Sequence, residues 1–349
     1  MPPGGSVNGG SAGVSVSPDG CPGGQKRCNT GECLPIALET GCQSAVCQPC
    51  AKPPNASVSC SADTGLCQVD GCDVGYADCN GDLNGYMGSV GGDGCEYQFG
   101  ADLRGFTEVL DVPFARIDIA DGGRGDWGNI PAYSLDATCD NCIDDRLPEV
   151  TAQNEAPSKR DLDGYFRVAW DGDFFYVLGE VFDDQLFADG LSLMDGRCGN
   201  NGAACEDAFT VFIDGRNDRL TAGKNAYQND DIRVFLGLSG AAFRPSAEQV
   251  VARQVDLRRS LIGASCYQIE AQFDWEFIAA TQNQQAVSGI FPPVNGQEYG
   301  FDVSLNDWDL AISEEKPQRQ SQMFWLSPGA DYNRITTGFA RMKLSGAPP

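Results

Sequence analysis

The chain has 349 residues and no histidine. That one absence removes the commonest general base and the commonest metal ligand. It excludes a Ser-His-Asp triad, a Cys-His pair, an HExxH zinc helix and a CxxCH haem site. Positive charge is also scarce: 24 Lys and Arg face 49 Asp and Glu, for a formal net charge of −25 at pH 7. Such a surface repels nucleic acid and anionic lipid headgroups. Where its carboxylates converge it recruits divalent cations. No apolar run is long enough to cross a membrane. Residues 1–20 (MPPGGSVNGGSAGVSVSPDG) lack the apolar stretch of a secretory signal and carry no lipid-anchor cysteine. Their Gly/Ser/Pro content reads as a flexible leader, the signal having been removed or the gene start replaced. Helical periodicity is confined to one or two turns in WEFIAATQ, from Trp275.

Cysteine, by contrast, is plentiful. Of 16 cysteines, 11 lie between Cys21 and Cys95, and five follow: Cys139, Cys142, Cys198, Cys205 and Cys266. Both counts are odd, so full pairing requires at least one disulfide between the two regions. Zinc is the rival reading. Without histidine it needs four-thiolate sites, and the pairs Cys47–Cys50 and Cys139–Cys142 lack a clean second CxxC. Dense cysteine belongs to oxidising compartments, which favours disulfides and an extracellular or cell-surface location. Residues 21–98 are poor in aliphatics, so cross-links must hold them. Within them Asp78, Asn80, Asp82 and Asn84 alternate as D-x-N-x-D-x-N. Oxygen ligands at every second position suit one hard cation such as calcium. The same residues also supply ordinary turn geometry.

From Phe99 onward, aromatic and β-branched runs recur between Gly/Asp/Asn clusters. They are FARIDIA (114–120), YFRVAW, FFYVLGEVF, AFTVFID (208–214), DIRVFLGL (231–238), YQIEAQFDW (267–275), YGFDVSLND (299–307) and GFARMKL (338–344). Most alternate apolar with polar residues, the pattern of a strand with one buried face. Asp171-Gly172 supplies a hairpin turn. The expected fold class is all-β: an antiparallel β-sandwich over residues 99–349, behind a disulfide-stapled, loop-dominated module at 21–98 and a leader at 1–20.

Two resemblances are carried by these segments. CAKPPNASVSCSADTGLCQVDGCDVGYADCNGD, closed by DGCE at 93–96, resembles a cysteine-rich module of predicted surface proteins from myxobacteria and related deltaproteobacteria. That likeness implies surface display and no known chemistry. The second runs over about residues 105–345. DGGRGDW, FRVAWDGDFFYVLGEVFDD, EDAFTVFIDGRND, NDDIRV, CYQIEAQFDW, YGFDVSLNDWD and MFWLSP occur in that order. Together they resemble the family 9 carbohydrate-binding module, within the DOMON-like group of β-sandwiches.

The second resemblance implies a site. Two tryptophans clamp a terminal pyranose in sugar-binding members, because sugar C–H faces pack on aromatic planes while hydroxyls take hydrogen bonds. One clamp residue corresponds to Trp325. The loop that brings the other holds no tryptophan here; Phe187 is its aromatic. Trp308, at a strand end, is a further candidate, with Asp309 and Arg319 as polar partners. Trp170 and Trp275 sit in strand patterns and are expected in the core, and Trp127 is expected to brace its own loop. The resemblance also implies structural calcium near the strand-end acids Asp183, Asp184 and Asp207, with Glu206, Asp121, Asp126 and Asp307 as contributors; solvated turn acids are the other reading. No hydrolase motif and no deep cleft are foreseen, so no enzymatic activity is expected. The haem of some DOMON relatives needs an axial His that this chain lacks. The expectation is therefore an exported, non-catalytic protein whose partners are glycan or other surface proteins. The alternative is a structural subunit of an extracellular assembly or adhesin, self-assembling and without sugar binding.

Overall fold

The computed structural model describes residues 20–80, 83, 94–99, 103–104, 109–121, 124–135, 142–143, 162–188, 206–218, 231–238, 241–244, 255–279, 291–310, 317–325 and 339–346. Two units emerge: Met1–Asp73 with Asp82–Cys95, and Val74–Gly81 with Glu96–Pro349. Residues 74–81 and 96–98, grouped with the cysteine-rich module by composition, fold with the second unit.

The first unit contains two small antiparallel ribbons. β1 (Gln25–Arg27) pairs with β2 (Cys33–Pro35), and β3 (Ala56–Cys60) pairs with β4 (Cys67–Cys72). Apart from cysteines, its buried apolar residues among those described are Ala56 and Val69. Five disulfides stand in for a core: Cys21–Cys33, Cys28–Cys47, Cys42–Cys60, Cys50–Cys67 and Cys72–Cys95. They close loops of 12 to 23 residues, and in the chain-entropy picture a loop of that size stabilises by about 3 kcal/mol. Lys26 is buried and donates through Nζ to the carbonyls of Thr40 and Ser44. Burial pushes its pKa down from the usual lysine range.

In the second unit β5 (Tyr76–Ala77) pairs with β6 (Tyr97–Gln98). The later strands, in chain order, are β7 (Leu103–Arg104), β8 (Val109–Pro113), β9 (Ala132–Leu135), β10 (Cys142–Ile143), β11 (Leu162–Trp170), β12 (Phe174–Asp183), β13 (Ala208–Asp214), β14 (Asp231–Gly237), β15 (Ala241–Arg244), β16 (Val255–Leu261), β17 (Cys266–Asp274), β18 (Glu298–Leu310), β19 (Pro317–Phe324) and β20 (Ala340–Ser345). A six-stranded sheet runs β16-β17-β12-β11-β9-β7. An eight-stranded sheet runs β10-β19-β18-β13-β14-β15, with β20 beside β18 and β8 beside β20. All pairings are antiparallel except β8 with β20 and β7 with β9. The one α-helix among the described residues, α1 (Trp275–Ala279), is a single turn.

The core lies between these sheets. Alternate residues of β11, β12 and β17 (Phe166, Val168, Phe175, Val177, Val181, Ile269, Phe273) meet alternate residues of β13 and β18 (Phe209, Val211, Ile213, Phe301, Val303, Leu305) in one cluster. Side chains at i and i+2 share a face, so each strand commits one face to this cluster. The sheets touch closely at Gly179, where a Cβ would fall 2.7 Å from the Phe209 ring. Trp170 and Trp275 lie inside the core, as expected.

The outer face of β11 and β12 is covered as well, which is why both strands are almost entirely apolar or buried. Ile117, Ile119, Trp127 and Ile130 pack on Ala169, Tyr176 and Leu178. This corrects the expectation of a strand at 114–120. Phe114 makes an isolated bridge to Trp170, and the chain then leaves the sheet. The Asp126 carboxylate accepts the Asp118 N–H and the Asp118 carboxylate accepts the Ala120 N–H, so side chains replace ladder partners.

Buried charges in this cover are paired. The fully buried Glu180 accepts from Tyr97 Oη (2.8 Å), Gln268 Nε2 (3.1 Å) and Arg124 Nη1 (3.3 Å), with Arg167 Nε 3.6 Å away. Arg167 also donates to the carbonyls of Ile130 and Phe99, and Trp127 Nε1 donates to Glu270. Burial, and then Glu180, raise the pKa of Tyr97, so it stays a neutral donor. Cys79–Cys266 fixes the same region. It joins the two cysteine-bearing stretches of the sequence, as their odd counts require. The twelve cysteines in these six bonds have no thiolate free for zinc.

Candidate functional site

The inner faces of four strands run out into polar groups at one end of the sandwich. On β12 the series Phe175, Val177, Gly179, Val181 continues to Asp183. On β18 the series Phe301, Val303, Leu305 continues to Asp307. On β13 the series Ile213, Val211, Phe209 continues backwards to Asp207. On β17 the series Phe273, Ala271, Ile269 continues to Tyr267. Register brings these ends together: Val181 faces Tyr267, and Ala208 faces Asn306. Asp183 belongs to the six-stranded sheet and Asp307 to the eight-stranded one, while Asp207 immediately precedes β13 of the latter.

Carboxylate oxygens of Asp183, Asp207 and Asp307 lie within 4.8 Å of one another, and all three residues are buried. Glu206 beside them is buried too. The Tyr267 hydroxyl is fully buried and has no hydrogen-bond partner among the described residues. Its pKa is driven well above the usual tyrosine range, first by desolvation and then by Asp207, Asp183, Asp307 and Glu206. Three carboxylates this close repel strongly in a low-dielectric setting. An oxygen-only donor set of this kind matches a hard divalent cation.

The cluster is also wired to the backbone. Asp207 Oδ1 accepts the Trp308 N–H at 2.8 Å, and Oδ2 accepts the Phe187 N–H. The Asp207 N–H in turn donates to the Phe187 carbonyl at 3.0 Å. Asp183 Oδ1 accepts the Gln185 N–H at 2.9 Å. One carboxylate thus holds two aromatic residues that the sequence marked as ligand candidates. Both Phe187 and Trp308 are half-buried. Trp308 lies near the C-terminal end of β18, in keeping with the strand-end position expected, just past an irregularity in the β18–β19 register, and Arg319 is its cross-strand partner. Asp309 lies opposite Gln318; the side chains of Asp309 and Arg319 fall outside the described residues.

Other expectations part from the structure. Trp325 is 4% exposed and packs edge-on against Phe166 (4.9 Å between centroids) and Tyr133 (5.8 Å). Its N–H donates to the Val303 carbonyl, which continues the ladder and turns the indole into the core after Met323. It presents no open ring face for a sugar. Asp184 is exposed and outside the carboxylate trio. Asp78 is buried, while Asn80 is exposed and donates its N–H to the Glu96 carboxylate. Burial, and to a lesser degree Asp78, raise the Glu96 pKa. Asp82 and Asn84 lie outside the described residues. Asp126 is spent on the Asp118 N–H, and the Asp121 side chain is outside the described set. Sequence reasoning missed Tyr267. Its signal was there, as the next inward position after Ile269.

A family model described as "Carbohydrate family 9 binding domain-like" matches residues 135–347. Among curated proteins, an endo-1,4-beta-xylanase A from Thermoanaerobacterium saccharolyticum is 24% identical over 183 residues, and an exoglucanase XynX from Acetivibrio thermocellus is 23% identical over 187. Each match covers 52% of this chain, which spans 13% and 14% of those relatives' lengths. Among solved structures, a carbohydrate binding module family 9 from Caldicellulosiruptor kristjanssonii in complex with cellotriose aligns with a TM-score of 0.46 at 19% identity, over 69% of this chain and 95% of that one. A putative carbohydrate-binding protein from Bacteroides uniformis aligns at 0.42 and 14% identity, over 68% and 99%.

Proposed function

The chain belongs to the carbohydrate family 9 binding domain-like family, and from that premise we propose that it is an exported, non-catalytic glycan-binding protein with a structural calcium in its sandwich. The observation that carries the reading is the tie between one buried carboxylate, Asp207, and two half-buried aromatics, Phe187 and Trp308. Aromatic planes fixed at the backbone supply the apolar half of sugar recognition. Arg319 and Asp309, cross-strand and adjacent to Trp308, are the polar half. Calcium sits at Asp183, Asp207 and Asp307, whose all-oxygen donor set fits it. Trp325 is assigned to the core. Export is supported by the disulfides, which belong to an oxidising compartment.

A second reading keeps the sandwich as a scaffold in an extracellular assembly or adhesin; the burial of Trp325 favours it. The two are separated on an array carrying cello- and xylo-oligosaccharides, chosen because the relatives are named for xylan and glucan hydrolysis. The glycan reading expects retention that drops at least about tenfold in Trp308→Ala, the loss of one aromatic contact. Silence across the array, with ordered polymers seen by electron microscopy, would replace it with the scaffold.

A further inference from the structure

Two disulfides of the first unit lie side by side. Cys42–Cys60 and Cys50–Cys67 both run from the segment 42–50 to the β3–β4 hairpin. The Sγ atoms of Cys42 and Cys50 are 3.4 Å apart, a contact between sulfurs that share no bond. Cys67 Sγ lies within 4.8 Å of both. On the hairpin side, Cys60 and Cys67 are direct cross-strand partners. Opposite residues of an antiparallel pair have Cα atoms about 4.5–5.5 Å apart, inside the range that a disulfide spans. The four sulfurs are therefore placed to pair the other way, as Cys42–Cys50 and Cys60–Cys67. Cys42 is fully buried, whereas Cys50, Cys60 and Cys67 are half-buried, so the cluster has an approachable side.

The pairing decides what is tied to what. Cys21–Cys33 and Cys28–Cys47 stay within residues 21–50, and Cys72–Cys95 stays within the stretch that begins with β3. Among the described disulfides, Cys42–Cys60 and Cys50–Cys67 are the ones that join these two halves. Apolar packing adds little, because the buried Ala56 and Val69 both belong to the hairpin. In the alternative pairing each half closes on itself. The ties left between them are hydrogen bonds such as that from the Gln43 N–H to the Gly65 carbonyl (2.7 Å).

We propose that Cys42, Cys50, Cys60 and Cys67 form an exchange site for an external thiolate, which converts the stapled first unit into two separately closed halves without net reduction. The thiolate attacks Cys67 Sγ, forming a mixed disulfide and releasing the Cys50 thiolate. That thiolate attacks the adjoining Cys42 Sγ, forming Cys42–Cys50 and expelling the Cys60 thiolate. Cys60 then attacks Cys67 Sγ across the hairpin, forming Cys60–Cys67 and returning the external thiolate. Two disulfides break and two form, so the thiol is a catalyst and neither oxidant nor reductant is consumed. Glycan binding by the second unit plays no part in these steps.

The test incubates the full chain with a substoichiometric amount of 2-mercaptoethanol, quenches by alkylation and maps the disulfides by mass spectrometry without reduction. Cys42–Cys50 and Cys60–Cys67 are expected together, at least about tenfold above any new pair with another cysteine, and with no lasting rise in free thiol. In the exchanged protein the Gln43 amide is expected to exchange hydrogen at least about tenfold faster. The double variant Cys50→Ser, Cys67→Ser lacks the entry disulfide and is expected to keep Cys42–Cys60 under the same thiol; its rearrangement would overturn the coupled route. Recovery of the original pairs alone from the wild type overturns the proposal, as does scrambling spread over the other cysteines. New pairs with unchanged exchange at Gln43 overturn the opening of the unit.

Discussion

Among the described residues of the front unit, the buried apolar side chains other than cysteine are Ala56 and Val69. The sandwich instead interlocks Phe166, Phe175, Phe209, Phe301 and Trp275 in a single cluster. Five cross-links of short span serve the first unit, and among the described residues one of long span, Cys79–Cys266, serves the second. The difference shows two sources of order. Short disulfides act chiefly on the unfolded chain by shrinking its freedom, and the unit they hold buries Lys26 with its ammonium bonded to the carbonyls of Thr40 and Ser44. Two facing sheets act on the folded state by removing apolar surface from water. There the charge of the buried Glu180 is compensated by Arg167 and Arg124.

The largest expected effect is on the apolar side of this contrast. Phe209→Ala opens a cavity against Gly179 and the β12 face and should cost the sandwich about 3–5 kcal/mol. Urea denaturation followed by tryptophan fluorescence reads it. A loss below about 1 kcal/mol would mean the two sheets are not held by their interlocked faces. A smaller effect is expected from the polar cover. Glu180→Gln keeps the shape but removes the charge facing Arg167 and Arg124, for a loss of about 1–3 kcal/mol, read by the same denaturation. No loss would show that the outer network is incidental and that burial alone holds the cover.

The sandwich was readable where local pattern and tertiary role agree. AFTVFID became β13 with the same boundaries, because alternation there reports one buried face. FARIDIA has similar alternation but no ladder partner: its isoleucines cover the outside of a sheet, and period alone does not separate a strand from a covering segment. Val255–Leu261 is an edge strand with Asp256, Arg258 and Arg259, too charged to announce itself. Its place is set by pairing with β17 rather than by its own composition. The candidate site was legible in part. Strand-end acids pointed to Asp183 and Asp207, with Asp307 as a contributor, but the geometry leaves out the neighbouring Asp184. Asp183 is the last residue of β12 and points inward, whereas Asp184 lies past the strand end and is exposed. Tyr267 carried no signal beyond its strand pattern, and register alone brings it beside the acids. Trp325 followed the family pattern in sequence, while its ladder bond to Val303 turns it inward.

Hydrogen exchange before and after reduction with an excess of a small dithiol addresses the contrast between the two units most directly. The account predicts that amides of β3 and β4 lose protection on reduction, while those of β12, β13 and β18 keep most of theirs despite the loss of Cys79–Cys266. Retained protection in β3 and β4, or collapse of β12, β13 and β18 together with them, would contradict it.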